Sequence, residues 1–255
     1  MRKPIVSLDK NRVPILSNQR IDEYCEGLIR EFQPGVFEHP EPVDIDAFVC
    51  FFLGMKQDFA YLSNDGRYLG MTVFNDTDRV IVYDPERNRA EYMSAEAGTV
   101  IIDNTLLEEK QIHRYRFTMG HEGGHGLWHP DHFSYTAGQV GMFDEPPQAM
   151  VQCRADASKT LYTKDWKSWT PEDRMEQQAN KSASALLMPR EAVYKLVRRL
   201  PTARRMDEEV SRVMAVANTF NVSMDAAMYR LFDLGVLKRK IPMAAALDFS
   251  DFIEM

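Results

Sequence analysis

The stretch from Thr118 to Pro130, TMGHEGGHGLWHP, decides the fold, because it carries four glycines on what its spacing predicts to be a single helix. It could be a glycine-rich loop around a phosphate, or a metal-binding helix that tolerates its glycines. A phosphate loop joins a strand to a helix and is usually followed by Lys and Ser/Thr, which are missing here. Each glycine costs a helix interior about 1 kcal/mol relative to alanine. We therefore expect close helix contacts or a bound metal to compensate, and favour the metal-binding helix.

The motif HExxH, formed by His121, Glu122 and His125, provides the metal-binding pattern. Residues i and i+4 lie on one face of a helix, so both imidazoles can reach one ion. Glu122 is placed to take a proton from a water on that ion. Zinc would activate the water and polarise a carbonyl. Since a catalytic zinc site has three protein ligands, one more must come from elsewhere.

Two residues are candidates for the third ligand. Asp131 follows closely, but Pro130 intervenes and no glycine turn leads the chain back. Glu176 fits better, because it lies in the first turns of a helix that the sequence Thr-Pro-Glu-Asp at 170–173 predicts to begin there. Ala179 and Ala183 share its face and would allow another helix to pack closely.

Composition and charge exclude several classes of protein. The chain has 255 residues, is 44% hydrophobic and 27% charged, and carries a net charge of −7. This balance is typical of a globular protein and does not favour direct nucleic-acid binding. The three cysteines (Cys25, Cys50 and Cys153) lack the spacing of a disulfide framework. No signal peptide or membrane-spanning run is recognisable, so we expect a cytoplasmic protein without membrane contact.

Periodicity along the chain predicts an α+β fold. We expect a helix that begins at about Arg20 and ends before Pro34, and a second from Asp44 to about Leu53. A small, mostly antiparallel sheet follows over about 58–103, with a hairpin at Asp65-Gly66 and strand-like runs at 80–89 and 98–103. After the glycine-bearing helix at 111–129, a long turn-rich segment at 130–169 is predicted to shape access to the site. Helices follow from Thr170, from Pro189 and over 206–236.

This pattern divides the chain into an N-terminal extension (1–19), a metallopeptidase core (20–200), a C-terminal helical hairpin packed on that core (201–236) and a tail (237–255). The hairpin has the sequence pattern of a helix-turn-helix, with Ser223 as the N-cap of its second helix. Its second helix offers Asp225, Arg230 and Asp233 among apolar residues, whereas a DNA-reading helix needs basic and amide side chains. We interpret it as a packing element.

Two segments together resemble the ImmA/IrrE family of zinc metallopeptidases: RYRFTMGHEGGHGLWH at 114–129 and EQQANKSASALLMP at 176–189. The family typically shows Arg-x-Arg-Phe-Thr, HExxH with a further histidine four residues on, Glu-x-x-Ala-Asn and Leu-Leu-Met-Pro. The likeness covers roughly residues 20–236. It implies a zincin-like core with zinc held by His121, His125 and Glu176, and Glu122 as general base.

The resemblance also implies a protein substrate, because family members cleave helix-turn-helix repressors in stress or mobile-element switches. No fused repressor is recognisable, so we expect a separately encoded target. Manganese or iron would suit the same ligands as zinc. Asn180 is a candidate for orienting Glu176, with a helix-packing role equally open. His129 is a candidate for orienting the ligands, for a cation at the helix C-terminus or for a core histidine, and we favour a structural role. His132 and Tyr135 are candidates for stabilising an oxyanion.

Two departures from the family pattern keep a second hypothesis open. Family members usually have alanine before the first histidine and a bulky apolar residue after the glutamate, whereas this chain has Gly120 and Gly123. The alternative is a non-catalytic regulatory protein that binds a repressor or another partner, with the metal structural or absent. Turnover that depends on Glu122 would separate the two hypotheses.

Overall fold

The computed structural model describes residues 5–133, 150–154, 165–203, 205–238 and 240–241, which form a mixed α+β fold. The chain divides into two compact units. The first comprises Met1–Ile21 and Ile45–Ala183, and the second Asp22–Asp44 and Ser184–Met255. No described helix is both long enough and apolar enough to cross a lipid bilayer. The predicted boundaries at 20, 200 and 236 stay a prediction, and most of the 237–255 tail lies outside the described residues.

Within the described part of the first unit, four strands form the larger sheet, in the order β1-β5-β2-β6. Their bounds are Lys56–Ala60 (β1), Tyr68–Val73 (β2), Thr99–Asp103 (β5) and Met150–Arg154 (β6). β1 runs parallel to β5, and the other two pairings are antiparallel, as the prediction of a mostly antiparallel sheet requires. The predicted hairpin at Asp65-Gly66 is wrong, because β5 lies between the two strands that flank this turn. All five residues of β5 are buried, which explains its central place.

Between β2 and β5 in the sequence, the strands β3 (Thr77–Asp84) and β4 (Arg89–Ala95) form a separate two-stranded hairpin. Val80 on its inner face belongs to the hydrophobic core around Met71 and Ile101. The strand predicted at 80–89 begins earlier, at Thr77, and ends at Asp84, because the chain turns at 85–88. Strand β4 was not predicted, because each of its side chains is exposed or half-buried and no apolar run marks it in the sequence.

The helices of the first unit follow the predicted positions. A short helix, α2 (Ile45–Ala47), continues as a π-helical turn at Phe48–Phe52. The glycine-bearing helix α3 spans Ile112–Trp128, and α4 spans Pro130–Phe133. Helix α5 begins at Pro171, as predicted, and ends at Leu187, and its residues from Ser184 on belong to the second unit. Every residue from Thr118 to His129 is buried, so the metal-binding motif lies in the interior of this unit.

The second unit is helical in its described part. Its helices are α1 (Asn18–Phe32, of which the first residues belong to the first unit), α6 (Arg190–Arg199), α7 (Met206–Phe220) and α8 (Met224–Asp233). The Ser223 hydroxyl caps α8 by accepting a hydrogen bond from the Ala226 amide, as predicted. Arg230 is buried and donates to the Asp22 carboxylate at 2.5 Å. The interpretation of α8 as a packing element agrees with this buried arginine.

Candidate metal centre

Helix α3 brings two imidazoles together on one face. His121 and His125 are one turn apart and fully buried, and their Nε2 atoms lie 3.0 Å from each other. Their Nδ1 atoms face other partners, the Asn180 Oδ1 atom at 3.0 Å from His121 and the His129 Nδ1 atom at 2.9 Å from His125. Both Nε2 atoms are therefore directed to a common point.

Helix α5 supplies a carboxylate at that point. Its start is held by reciprocal hydrogen bonds, in which Thr170 Oγ1 accepts from the Asp173 amide and Asp173 Oδ2 accepts from the Thr170 amide. Glu176 lies one turn further on. Its two carboxylate oxygens are 3.5 Å from His121 Nε2 and 3.4 Å from His125 Nε2.

The three side chains fit a divalent metal ion. Their ligand atoms all lie within 4.8 Å of one another. Ligands bound at zinc distances in a tetrahedral site are separated by roughly 3.3 Å, close to the spacings found here. Two imidazole nitrogens and one carboxylate oxygen suit zinc, and also manganese or iron. Asp131, the other candidate ligand, is not part of this cluster, and its backbone carbonyl accepts a hydrogen bond from Arg12.

Burial sets the charge of the two histidines. It lowers the pKa of His121 to about 4, although the Glu176 carboxylate opposes the shift. It lowers the pKa of His125 to about 3. Both rings are thus neutral near pH 7, which leaves each with one unprotonated nitrogen for a metal. Burial also holds the pKa of His129 well below its usual range.

Glu122 is fully buried beside strand β2 of the sheet. Its Oε2 atom accepts a hydrogen bond from the Thr72 hydroxyl at 2.5 Å, while Oε1 has no hydrogen-bond partner among the described residues. Burial raises its pKa well above the ordinary value, Thr72 opposes the shift, and Glu176 adds to it. One carboxylate oxygen is therefore held in place, and the other is left to accept a proton.

The helix glycines allow neighbouring elements to approach α3 closely. A Cβ atom at Gly124 would lie 2.9 Å from the Cβ of Ser182 and 3.2 Å from the Cα of Ala179, both on α5. At Gly120 the nearest atom would be the Cα of Ala183, at 3.3 Å. At Gly123 it would be a Val49 methyl carbon, at 2.8 Å. The close packing predicted from the alanines of α5 is confirmed.

The oxyanion candidate His132 is engaged by another part of the chain. The His132 Nδ1 atom lies 2.6 Å from the backbone carbonyl oxygen of Asn11, so this nitrogen is engaged by the N-terminal segment. Tyr135 lies outside the described residues, as does most of the 130–169 segment that was predicted to shape access.

Three residues around the centre were missed by sequence analysis: Thr72, Gly70 and Gln178. A Cβ atom at Gly70 would lie 2.8 Å from Glu122 Oε1, so only glycine leaves room for the carboxylate there. Gln178 accepts a hydrogen bond from His129, with 3.0 Å between Oε1 and Nε2. In the sequence, Thr72 stands out only as a polar residue in the apolar strand LGMTV. Its role could not be interpreted before the position of this strand beside Glu122 was known.

The family model of the IrrE N-terminal-like domain, Peptidase_M78, matches residues 158–232. This range contains Glu176 and Asn180 and begins after the HExxH motif. The match confirms the predicted ImmA/IrrE resemblance and supports a metallopeptidase-type function. No curated protein matches the chain.

Proposed function

We propose, with the ImmA/IrrE resemblance as premise, that the chain is a zinc-dependent endopeptidase. His121, His125 and Glu176 would hold the metal, and Glu122 would be the general base. The observation that carries the proposal is the convergence of two neutral imidazoles and a carboxylate directly beside a buried glutamate. Bound zinc would supply a Lewis acid that polarises the scissile carbonyl and makes water acidic enough to react near pH 7.

The protein's own residues would prepare the proton transfer. The Thr72 hydroxyl holds one oxygen of Glu122 and so fixes the direction of the other. The raised pKa of Glu122 makes it a stronger base than an exposed carboxylate, which suits general base catalysis at neutral pH. Asn180 and His129 keep the rings of His121 and His125 in the orientation that a metal requires.

The substrate we propose is a separately encoded helix-turn-helix repressor in the cytoplasm, cleaved as part of a stress or mobile-element switch. The family resemblance is the support for this assignment. Asn180, His129 and the three ligands all lie in the first unit, so the chemistry proposed here needs no residue of the second. No direct contact of this chain with nucleic acid is part of the proposal.

Metal content is the first test. Tag-free protein supplied with zinc should contain about one zinc per chain by mass spectrometry, and Glu176→Ala should lose most of it. Glu172→Ala is the matched control, because Glu172 is an exposed acid on the first turn of the same helix and should leave the zinc in place. Wild-type protein that takes up no zinc would overturn the proposal.

Turnover is the second test. A peptide library and a panel of helix-turn-helix repressor domains are incubated with zinc-loaded protein, and cleavage products are identified by mass spectrometry. Glu122→Gln should abolish cleavage and keep the zinc, since it removes the base and no ligand. Cleavage that survives in this variant would refute the role of Glu122.

The non-catalytic alternative rested on Gly120 and Gly123. Both glycines lie at close contacts of α3, with Ala183 and Val49, so packing gives a reason for their presence. No described residue favours the alternative specifically. A zinc-loaded wild type that binds a repressor and releases no product would support it against the peptidase.

A further inference from the structure

The N-terminal loop, residues 8–14, is an ordered part of the first unit, although its sequence predicted only an irregular extension. Leu8 and Pro14 form a β-bridge, and the Asp9 carboxylate accepts hydrogen bonds from the amides of Asn11 and Val13. Arg12 closes the turn with a φ of 62°. These local bonds give the loop a defined shape, with the Pro14 carbonyl at its end.

The N-terminal loop is anchored on the helices around the candidate metal centre. The Arg174 guanidinium of α5 pairs with the Asp9 carboxylate at 2.7 Å. Val13 is buried in a small core with Phe133 and Met175. Pro14 is buried as well. The ion pair to Arg174 and the packing of Val13 against Met175 hold the loop on the first turns of α5, and with it the Pro14 carbonyl.

A chain of hydrogen bonds joins this carbonyl to a candidate ligand. The Gln178 Nε2 atom donates to the Pro14 oxygen at 2.7 Å, and Gln178 Oε1 lies 3.0 Å from His129 Nε2. His129 Nδ1 lies 2.9 Å from His125 Nδ1. The side chains of Gln178, His129 and His125 are all buried, so water does not compete for these contacts.

Only one proton arrangement satisfies the whole chain of bonds. A carbonyl oxygen can only accept, so the amide nitrogen of Gln178 must face Pro14 and its oxygen must face His129. His129 then carries its proton on Nε2 and accepts at Nδ1. His125 must carry its proton on Nδ1, which leaves the lone pair of Nε2 directed at the metal position.

We propose that the N-terminal loop fixes the tautomer of His125 through Gln178 and His129, and that Gln178 is a positioning residue for the metal ligand. The inference rests on the metal site of the proposed function. The Pro14 carbonyl, which lies more than a hundred residues from Gln178 in sequence, is then one of the groups on which the metal site depends.

Zinc affinity tests the proposal. The dissociation constant is measured by competition with a chromophoric chelator, for the full chain and for Gln178→Leu. Loss of a hydrogen bond behind a metal-binding histidine typically weakens metal affinity by about 10- to 100-fold, and we expect a loss in this range. Gln177→Leu is the matched control, because Gln177 is the neighbouring glutamine and bonds only to Asn18 in the described contacts. Wild-type affinity in Gln178→Leu would overturn the inference.

A second variant isolates the contribution of the Pro14 carbonyl. Gln178→Glu keeps an acceptor for His129 but cannot donate to Pro14 when ionised, and it faces the carbonyl with a negative charge. We expect it to bind zinc more weakly than wild type. Equal or tighter binding would show that the N-terminal loop does not contribute.

The tautomers themselves can be observed without any variant. Long-range ¹H–¹⁵N correlation spectra of the ¹⁵N-histidine-labelled full chain should show His129 protonated on Nε2, with and without zinc. Protonation on Nδ1 would overturn the inference even if zinc binds. Conversely, a wild type that binds no zinc would refute the proposed function, while the His129 tautomer would still decide whether the hydrogen-bonded chain exists.

Discussion

Replacement of Gly124 by alanine tests whether close helix approach is the reason for the glycines of α3. An alanine Cβ would lie 2.9 Å from the Cβ of Ser182 and 3.2 Å from both the Cα and the carbonyl oxygen of Ala179. Two of these atoms belong to the backbone of α5. Ser182 is also held, because its hydroxyl accepts from Trp128 Nε1 and donates to the Gln178 carbonyl, each at 2.8 Å. The neighbours of the new methyl group therefore cannot move away easily.

The expected magnitude is the difference between two effects. Alanine is favoured over glycine in a helix interior by about 1 kcal/mol. An extra methyl group in a filled contact costs about 1–3 kcal/mol, and rigid backbone neighbours place Gly124→Ala near the upper end. We therefore expect the free energy of unfolding to fall by about 2 kcal/mol. Separation of α3 from α5 should also weaken zinc binding, because the two helices carry different ligands.

Two other helix glycines provide matched controls. Gly27 is an exposed residue in α1 with nothing within 4 Å of an added Cβ, so Gly27→Ala should raise the free energy of unfolding by about 1 kcal/mol. Gly120 would meet the Cα of Ala183 at 3.3 Å, a contact that needs only a small adjustment. For Gly120→Ala we expect the gain and the cost to cancel approximately.

Urea unfolding in the presence of a chelator, followed by far-UV circular dichroism, measures all three variants. With a slope of about 2 kcal/mol/M, Gly124→Ala should lower the midpoint by about 1 M. The reasoning is refuted if Gly124→Ala matches or exceeds wild-type stability while Gly27→Ala shows its expected gain. An equal loss of stability in Gly27→Ala, which makes no new contact, would show that the loss in Gly124→Ala does not come from contact with α5.

Three further predictions concern other contacts of the fold and the site. Thr72→Val removes the hydroxyl that donates to the buried Glu122 carboxylate and should lower the free energy of unfolding by about 1–3 kcal/mol in urea titrations, with unchanged stability counting against this bond. Arg230→Met should cost about 3–5 kcal/mol by thermal or urea unfolding because it breaks a buried ion pair, and Asp22→Leu in the same chain should recover much of the loss. Zinc at about 100 times its dissociation constant should stabilise the wild type by about 2.7 kcal/mol and leave Glu176→Ala unshifted at that concentration, so equal shifts would contradict the ligand assignment.

The sequence alone predicted the features that depend on short-range periodicity. The helix spacing of His121 and His125 places both rings on one face whatever the surroundings. The capped start of α5 sets Glu176 one turn inside that helix, and the alanines that follow it predict a close neighbour. The α+β class and the approximate bounds of the long helices follow from the same kind of pattern, because each is decided within a few turns of chain.

Tertiary structure alone decided strand order and the surroundings of the ligands. Asp65-Gly66 has a strong hairpin signal, yet β5 pairs with both flanking strands, because this central place buries all five residues of β5 and outweighs the preference of a local turn. Thr72, Gly70, Gln178 and the Pro14 carbonyl reach the candidate site from distant parts of the chain. Their roles depend on distances and hydrogen-bond directions that exist only once the elements have packed, so no local pattern records them.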